Sequence, residues 1–452
     1  MDGSTWPAQR TAVLVIHGIG SQFPFETLDM FTRPLVDELD RRNPGKIKLE
    51  HRVATRDNIG IKGWKENSIR ITRSESTTPI DIYEYYWANL SENLVTLKDL
   101  QKWVSQVVAG AKEFYNENKH LGEACKDDSI LFNKHGAMRG KAYKLTLLAA
   151  FGLIPLYVVA WRVLFMVATM FPYIRWIAKP LADLYYRKVT DKFTNYAGDV
   201  AVYNSLDPKS TFYKIRTEIL EGAVSALRHL VEMKENVATD SPALGKSPYY
   251  GRIIVAGHSL GSQIAFDAIN RLTRMISLGE ITGVAPKGDY IDSQGNPQPF
   301  RSGTTTLSNI RETLCGLVTF GSPLDKIAFF LRQQAPNDQY LRCQILENYH
   351  SFKQGPWNAK NDPKVKHKLP SPFTKIFNEI RWYNIYDLKD PVSGYLHFYD
   401  KVENKHMEYE SNIKISKVRH EEYWKHPYMF EKIIDDFIIP VEPPKHVETE
   451  SG

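Results

Sequence analysis

Residues 252–272, RIIVAGHSLGSQIAFDAINRL, hold a serine between two glycines at the junction of two patterns. Arg252 to Ala256 is an apolar, β-branched run of the kind that forms a short buried strand. Ser262, Ile264, Ala265, Ala268, Ile269 and Leu272 then recur at helical spacing. The five residues from Gly257 to Gly261 are therefore predicted to turn sharply from strand to helix. Small residues on either side of Ser259 let the backbone fold tightly enough to lift its hydroxyl into the open, the geometry of a nucleophile elbow. The expected chemistry is nucleophilic attack by Ser259.

A serine hydroxyl is a poor nucleophile at neutral pH. It needs a base within hydrogen-bond reach and a carboxylate that fixes the tautomer of that base. In enzymes built around such an elbow the chain order is serine, acid, histidine, so the acid belongs in a turn after a late strand and the histidine in a loop further on. The segment EIRWYNIYDLKDPVSGYL, residues 379–396, reads as the last clear strand followed by an acidic turn with Asp387 and Asp390. Asp390 is preferred because Pro391 stiffens the loop behind it, whereas Asp387 sits nearer the strand end, where it can cap the turn. Asp325, in GSPLD after an earlier strand, is a third candidate. Downstream histidines are His397, His406, His420, His426 and His446. His420, in VRHEEYW after the alternating run SNIKIS, is the preferred base, with His397 and His426 the alternatives. Two backbone N–H groups are expected to face the developing oxyanion: that of Leu260, directly after the serine, and that of Ile19 in the turn His17-Gly18-Ile19-Gly20. His17 itself reads as a structural histidine at a strand end.

These side chains need a sheet to position them. Residues 12–16, AVLVI, form a predicted buried strand; others are expected at about 48–54, at 80–87, at 252–256 and within 314–326, LCGLVTFGSPLDK. Helical patterns separate them, among them an amphipathic stretch from Leu94 to Ala111 and a long one around 211–234. Residues 277–309 lack periodicity and read as a surface excursion. Strands alternating with helices imply an α/β fold with a doubly wound, mostly parallel sheet, its chemistry beyond the carboxyl ends of the strands.

Composition narrows the class. The 452 residues are 42% hydrophobic and 24% charged, enough for one large domain with insertions or for two domains. The net charge of +6, from 58 basic and 52 acidic residues spread along the chain, gives nucleic-acid binding no focus and suits an anionic lipid surface at least as well. Cys125, Cys315 and Cys343 lie far apart without metal-ligand spacing, as in a protein of a reducing compartment. The N-terminal apolar run is shorter than the h-region of a cleavable signal peptide, so an intracellular protein is expected.

One segment differs in kind. In LTLLAAFGLIPLYVVAWRVLFMVATMFPYI, residues 145–174, only Arg162 interrupts a long apolar run flanked by Lys141, Lys144, Arg175 and Lys179. A single membrane span would put the strand at 12–16 and the elbow strand on opposite sides of a bilayer, where they could not share a sheet. Two full spans need about forty apolar residues. A re-entrant or interfacial hairpin broken near Pro155 or Arg162 is therefore expected, with a lid or core hairpin as the alternative. The expected organisation is a core in two parts, residues 1–90 and 205–440, interrupted by a helical insertion over 91–204 and followed by a flexible tail over 441–452.

VLVIHGIG, VAGHSLGSQIAFDAI, VTFGSPLDK, NIYDLKDPV and HEEYW, in that order, resemble the lipase-like α/β-hydrolases. A Gly-Ser-Pro strand end paired with a later Asp-Pro-Val turn is similar to fungal-type triacylglycerol lipases. The His-Gly turn and the elbow resemble those of glycosylphosphatidylinositol inositol-deacylase relatives. The likeness covers about the first thirty residues and about 250–425; residues from about 90 to 200 match no known pattern. It implies the α/β-hydrolase fold, a triad of Ser259, Asp390 and His420, and a serine esterase or lipase that needs no cofactor or metal. The expected substrate is a lipid or other acyl ester, met at a membrane surface. A soluble ester, thioester or peptide is a second substrate class, and a catalytically inactive membrane scaffold or lipid-binding protein is the alternative function.

Overall fold

The structure is a computed structural model. It describes residues 6–19, 23–53, 67–91, 199–204, 211–236, 246–277, 313–332, 339–352, 376–407 and 420–439, with single or paired positions inside them left out, and a few isolated positions elsewhere. The helical pattern from Leu94 to Ala111, the apolar segment 145–174 and the tail 441–452 lie outside the described residues. Among the described residues no helix is long and apolar enough to cross a membrane.

One eight-stranded sheet organises the molecule. Its strands are β1 (Thr11–Ile16), β2 (Ile47–Val53), β3 (Asn67–Arg73), β4 (Ile80–Tyr85), β5 (Arg252–His258), β6 (Leu314–Phe320), β7 (Arg381–Tyr386) and β8 (Val402–His406). Their order across the sheet is β8-β7-β6-β5-β1-β4-β3-β2. The strands from β8 to β4 run parallel, and β3 and β2 turn back antiparallel at one edge. Strands from residues 11–85 and from 252–406 thus share one sheet, with β1 paired directly to the elbow strand β5.

Alternating side chains serve two apolar layers, which is why the central strands are buried on both faces and read as unbroken apolar runs. Ala12, Leu14 and Ile16 of β1 pack with α2 (Thr211–Glu232) and α3 (Leu260–Ser277) through Ala223, Leu227 and Ile264. Val13 and Val15 face the other way, onto Leu28, Phe31 and Leu35 of α1 (Glu26–Arg42) and Phe430 and Ile433 of α4 (Pro427–Ile433). The mixed α/β character and the helices on both faces are those expected from the strand–helix alternation.

The two helices that follow β1 and β5 decide where a site can form. α1 leaves the end of β1 for one face, whereas α3 leaves the end of the neighbouring β5 for the other. The two connections diverge, opening a crevice at the carboxyl ends of adjacent parallel strands, the topological switch point. At its rim the Glu84 carboxylate of β4 accepts the Phe25 N–H at 2.7 Å and so fixes the entry to α1.

The strand expected at 48–54 is β2, and that expected at 80–87 is β4, ending at Tyr85. Three points differ from the sequence expectation. β3 was not marked by its sequence, NSIRITR. The strand at 381–386 is not the last, because VENKH forms the edge strand β8. Within the excursion at 277–309, Tyr290–Ile291 and Pro297–Gln298 pair as a minimal hairpin.

Candidate active site

The turn after β5 has the strain of a nucleophile elbow. Ser259 has φ 53°, left-handed backbone that a non-glycine residue adopts only when its surroundings over-determine it. Those surroundings are specific. The Ser259 N–H donates to the Phe320 carbonyl at the end of β6 (3.0 Å), its carbonyl accepts the Ser262 N–H (2.9 Å), and the Ser262 hydroxyl donates to the Gly257 carbonyl (2.7 Å). Gly261 is required by close approach, since a β-carbon there would strike the backbone carbonyls of Ile16 and His17. α3 can therefore start tight against the end of β1. Ser259 is buried, and its Oγ has no hydrogen-bond partner among the described residues.

The turn after β1 lies against the serine: a β-carbon at position 18 would sit 2.7 Å from the Ser259 Cβ. His17 holds this turn. Its Nδ1–H donates to the Gly18 carbonyl (2.7 Å), its Nε2 accepts the Trp87 N–H (3.0 Å), and its ring stacks on the Trp87 indole at 4.8 Å. The Trp87 indole N–H returns to the His17 carbonyl (3.0 Å). Burial lowers the His17 pKa to about 4, so the ring is neutral and fully engaged, in keeping with a structural role. Ile19 is buried beyond it, and Leu260 opens α3, where the first backbone N–H groups lack partners within the helix.

Of the candidate acids and bases, the structure brings together Asp390 and His420. The His420 Nδ1–H donates to Asp390 Oδ2 at 2.8 Å, with both side chains buried. Asp390 Oδ1 accepts the Val392 N–H at 2.9 Å, and Oδ2 also accepts the Tyr423 phenol at 3.1 Å. Burial alone would raise the Asp390 carboxyl, but the His420 ring, the Val392 N–H and the nearby Lys326 ammonium outweigh it and hold the pKa at about 2. An ionised Asp390 on Nδ1–H leaves the lone pair on Nε2. That Nε2 is buried and has no partner among the described residues, the same condition as the Ser259 Oγ.

His420 reaches the elbow through two neighbours. The Nε2–H of His258, the residue before the serine, donates to the His420 main-chain carbonyl at 2.9 Å, and the two rings lie 4.8 Å apart. Burial, with the His420 ring beside it, lowers the His258 pKa to about 3 and keeps it a neutral donor. Gly321, at φ 59° just after β6, forms the third wall: a β-carbon there would stand 3.0 Å from the His420 Cε1. His420 lies in a short helical turn over the described residues 420–425, rather than in the open loop expected.

The other candidates lie elsewhere. Asp387 shares the turn of Asp390, its carbonyl accepting the Asp390 N–H at 3.0 Å. Asp325 accepts the N–H groups of His397 and Phe398 at 2.7 and 2.8 Å, which binds it to the backbone of that loop. His397 is exposed, its ring tilted against that of Tyr395 at 4.6 Å; His426 precedes α4 as its N-cap; His406 ends β8. Sequence reasoning missed Tyr423 and the ring of His258. The tyrosine lies one turn after the histidine, in the quoted HEEYW, and His258 is the variable position of the elbow pattern, so neither carried a signal of its role.

Among the described residues no group of His, Cys, Asp and Glu side chains is placed to hold a metal ion. The chain matches no known protein family, no curated protein and no solved structure.

Proposed function

We propose that the protein is a serine hydrolase of the α/β-hydrolase fold, an esterase or lipase that cleaves a carboxylic ester of a lipid by way of an acyl-enzyme. One observation carries the reading: the Asp390–His420 hydrogen bond fixes an imidazole whose buried Nε2, like the Ser259 Oγ on its strained elbow, has no partner among the described residues, while His258, next to the serine, bonds the His420 carbonyl. Buried polar atoms are normally satisfied, and unsatisfied ones gather where chemistry uses them.

In this reading the Ser259 Oγ attacks the ester carbonyl while His420 Nε2 takes its proton. Asp390, ionised, stabilises the imidazolium that forms. The backbone N–H groups of Leu260 and Ile19 receive the oxyanion. His420 then gives the proton to the leaving alcohol, the C–O bond breaks, and the acyl group stays on Ser259. Water enters, loses a proton to Nε2 and attacks the acyl carbonyl, releasing the acid and restoring the serine.

The lipid substrate and the membrane surface are supported by the sequence at 145–174, whose apolar run and flanking Lys141, Lys144, Arg175 and Lys179 suit an interfacial element on anionic lipid. The test is fatty-acid release from phospholipid vesicles carrying a fluorogenic acyl ester, measured for the protein and for Ser259→Ala. Release by the former, reduced at least about a thousandfold in the latter, is the expected result. No release by a protein shown to be folded and vesicle-bound would favour the inactive scaffold. Turnover of a short soluble ester with none in vesicles would favour the soluble substrate class.

A further inference from the structure

We infer that Tyr423 is a positioning residue for the acid and base, a phenol clamp that joins the Asp390 loop to the His420 turn and shares the Asp390 carboxylate oxygen that receives the imidazole. The inference rests on the serine-hydrolase reading and goes beyond it, because the triad logic requires no fourth side chain.

The phenol oxygen joins three groups. It accepts the Asp387 N–H at 2.9 Å and lies 2.8 Å from the Ser393 hydroxyl. Its own hydrogen goes to Asp390 Oδ2 at 3.1 Å, the same oxygen that takes the His420 Nδ1–H. With its one hydrogen on the carboxylate, the phenol accepts from Ser393, whose hydroxyl lies closer to it (2.8 Å) than to the Asp387 carbonyl (3.4 Å), so the order of donation runs Ser393 to Tyr423 to Asp390. Each donor in such a chain polarises the next. The ring is fully buried, and its Cε2 would lie 3.2 Å from a β-carbon at Gly321, the residue that also walls His420.

Two consequences follow. The acid loop, residues 387–393, is tied to the short helical turn that bears the base, so the Asp390–His420 geometry does not depend on its own single bond. The loop is anchored from the other side by Lys326, whose ammonium donates to the carbonyls of Val392 (2.7 Å) and Ser393 (3.1 Å). In addition, the phenol draws charge from Oδ2. The carboxylate then shares its charge between the phenol and the His420 Nδ1–H, so loss of the phenol should show in the pH dependence of Ser259 labelling.

The test is the rate of labelling by a fluorophosphonate between pH 5 and 9 for the intact protein, Tyr423→Phe and Ser393→Ala, with circular dichroism to establish folding. In Tyr423→Phe the maximal rate should fall roughly tenfold, and the acidic limb should move up by about half to one pH unit. Ser393→Ala, which keeps the phenol but removes its donor, should move the limb in the same direction by less. If Tyr423→Phe fails to fold, the Ser393→Ala limb alone decides. A limb that stays in place or moves to lower pH, even with a slower rate, would assign Tyr423 to packing and overturn the inference while leaving the serine-hydrolase reading intact. No labelling of the unsubstituted protein would overturn both.

Discussion

Asp387 and Asp390 are both buried on one turn, and Asp390 directs its carboxylate at the His420 imidazole. Identity of residue type therefore does not set the role; the Asx turn closed by Val392 N–H does, because it aims Oδ2 at His420. Asp390→Asn should keep the shape but offer the imidazole a donor where it needs an acceptor, favouring the wrong tautomer. Labelling or ester turnover is expected to fall by about 10³- to 10⁴-fold, whereas Asp387→Asn should cost less than about tenfold, since the backbone of that residue makes the turn. Equal losses in the two variants, measured by kcat/KM on a soluble chromogenic ester, would reverse the assignment of the acid. The serine, its two candidate oxyanion donors and the preferred acid and base could be named from motif order alone. Tyr423 and His258 could not, because their roles depend on which loops meet, and neither residue has a type or spacing that marks a site.

At the scale of elements, the strain at Ser259 is held by the approach of α3 to β1, and Gly261 permits that approach. Gly261→Ala would drive a methyl group into the Ile16 and His17 carbonyls. The expected loss is more than about 2 kcal/mol in urea unfolding, together with loss of Ser259 reactivity. A variant with an unchanged midpoint and unchanged labelling would show that the elbow does not need this contact. The buried strands β1, β5, β6 and β7 were legible because helices cover both of their faces and leave runs such as AVLVI and LCGLVTF. β3 and β8 were not. NSIRITR alternates charge with isoleucine and lies on the antiparallel side, and VENKH is a polar edge strand recognisable only once it pairs with β7. The switch point was legible only as a class of place. Its location between β1 and β5 depends on α1 and α3 departing to opposite faces, which neither helix records in its own sequence.

Across the whole molecule, three buried neutral histidines make the fold sensitive to acid. Burial lowers His17 to about 4, and lowers His258 and His350 to about 3. Unfolded, each would titrate near 6.5, so between those values the unfolded chain binds more protons and stability falls as the pH falls. The penalty is absent above about pH 6.5 and grows as the pH drops, reaching roughly 3 kcal/mol for His17 alone below its folded value. Asp390 acts in a lower window: its contribution is complete above the ordinary carboxylate value and is lost as the pH falls to about 2. A melting temperature level above pH 6.5 and lower by on the order of 10 °C at pH 4.5 is expected; a level curve down to pH 4 would contradict the burial of these rings. The most direct measurement of the central claim is fluorophosphonate labelling of the intact protein beside Ser259→Ala and His420→Ala, read by intact mass. A single adduct on the unsubstituted protein, absent from Ser259→Ala and greatly slowed in His420→Ala, is the predicted result. An adduct that persists in Ser259→Ala, or none on a folded protein, would contradict it.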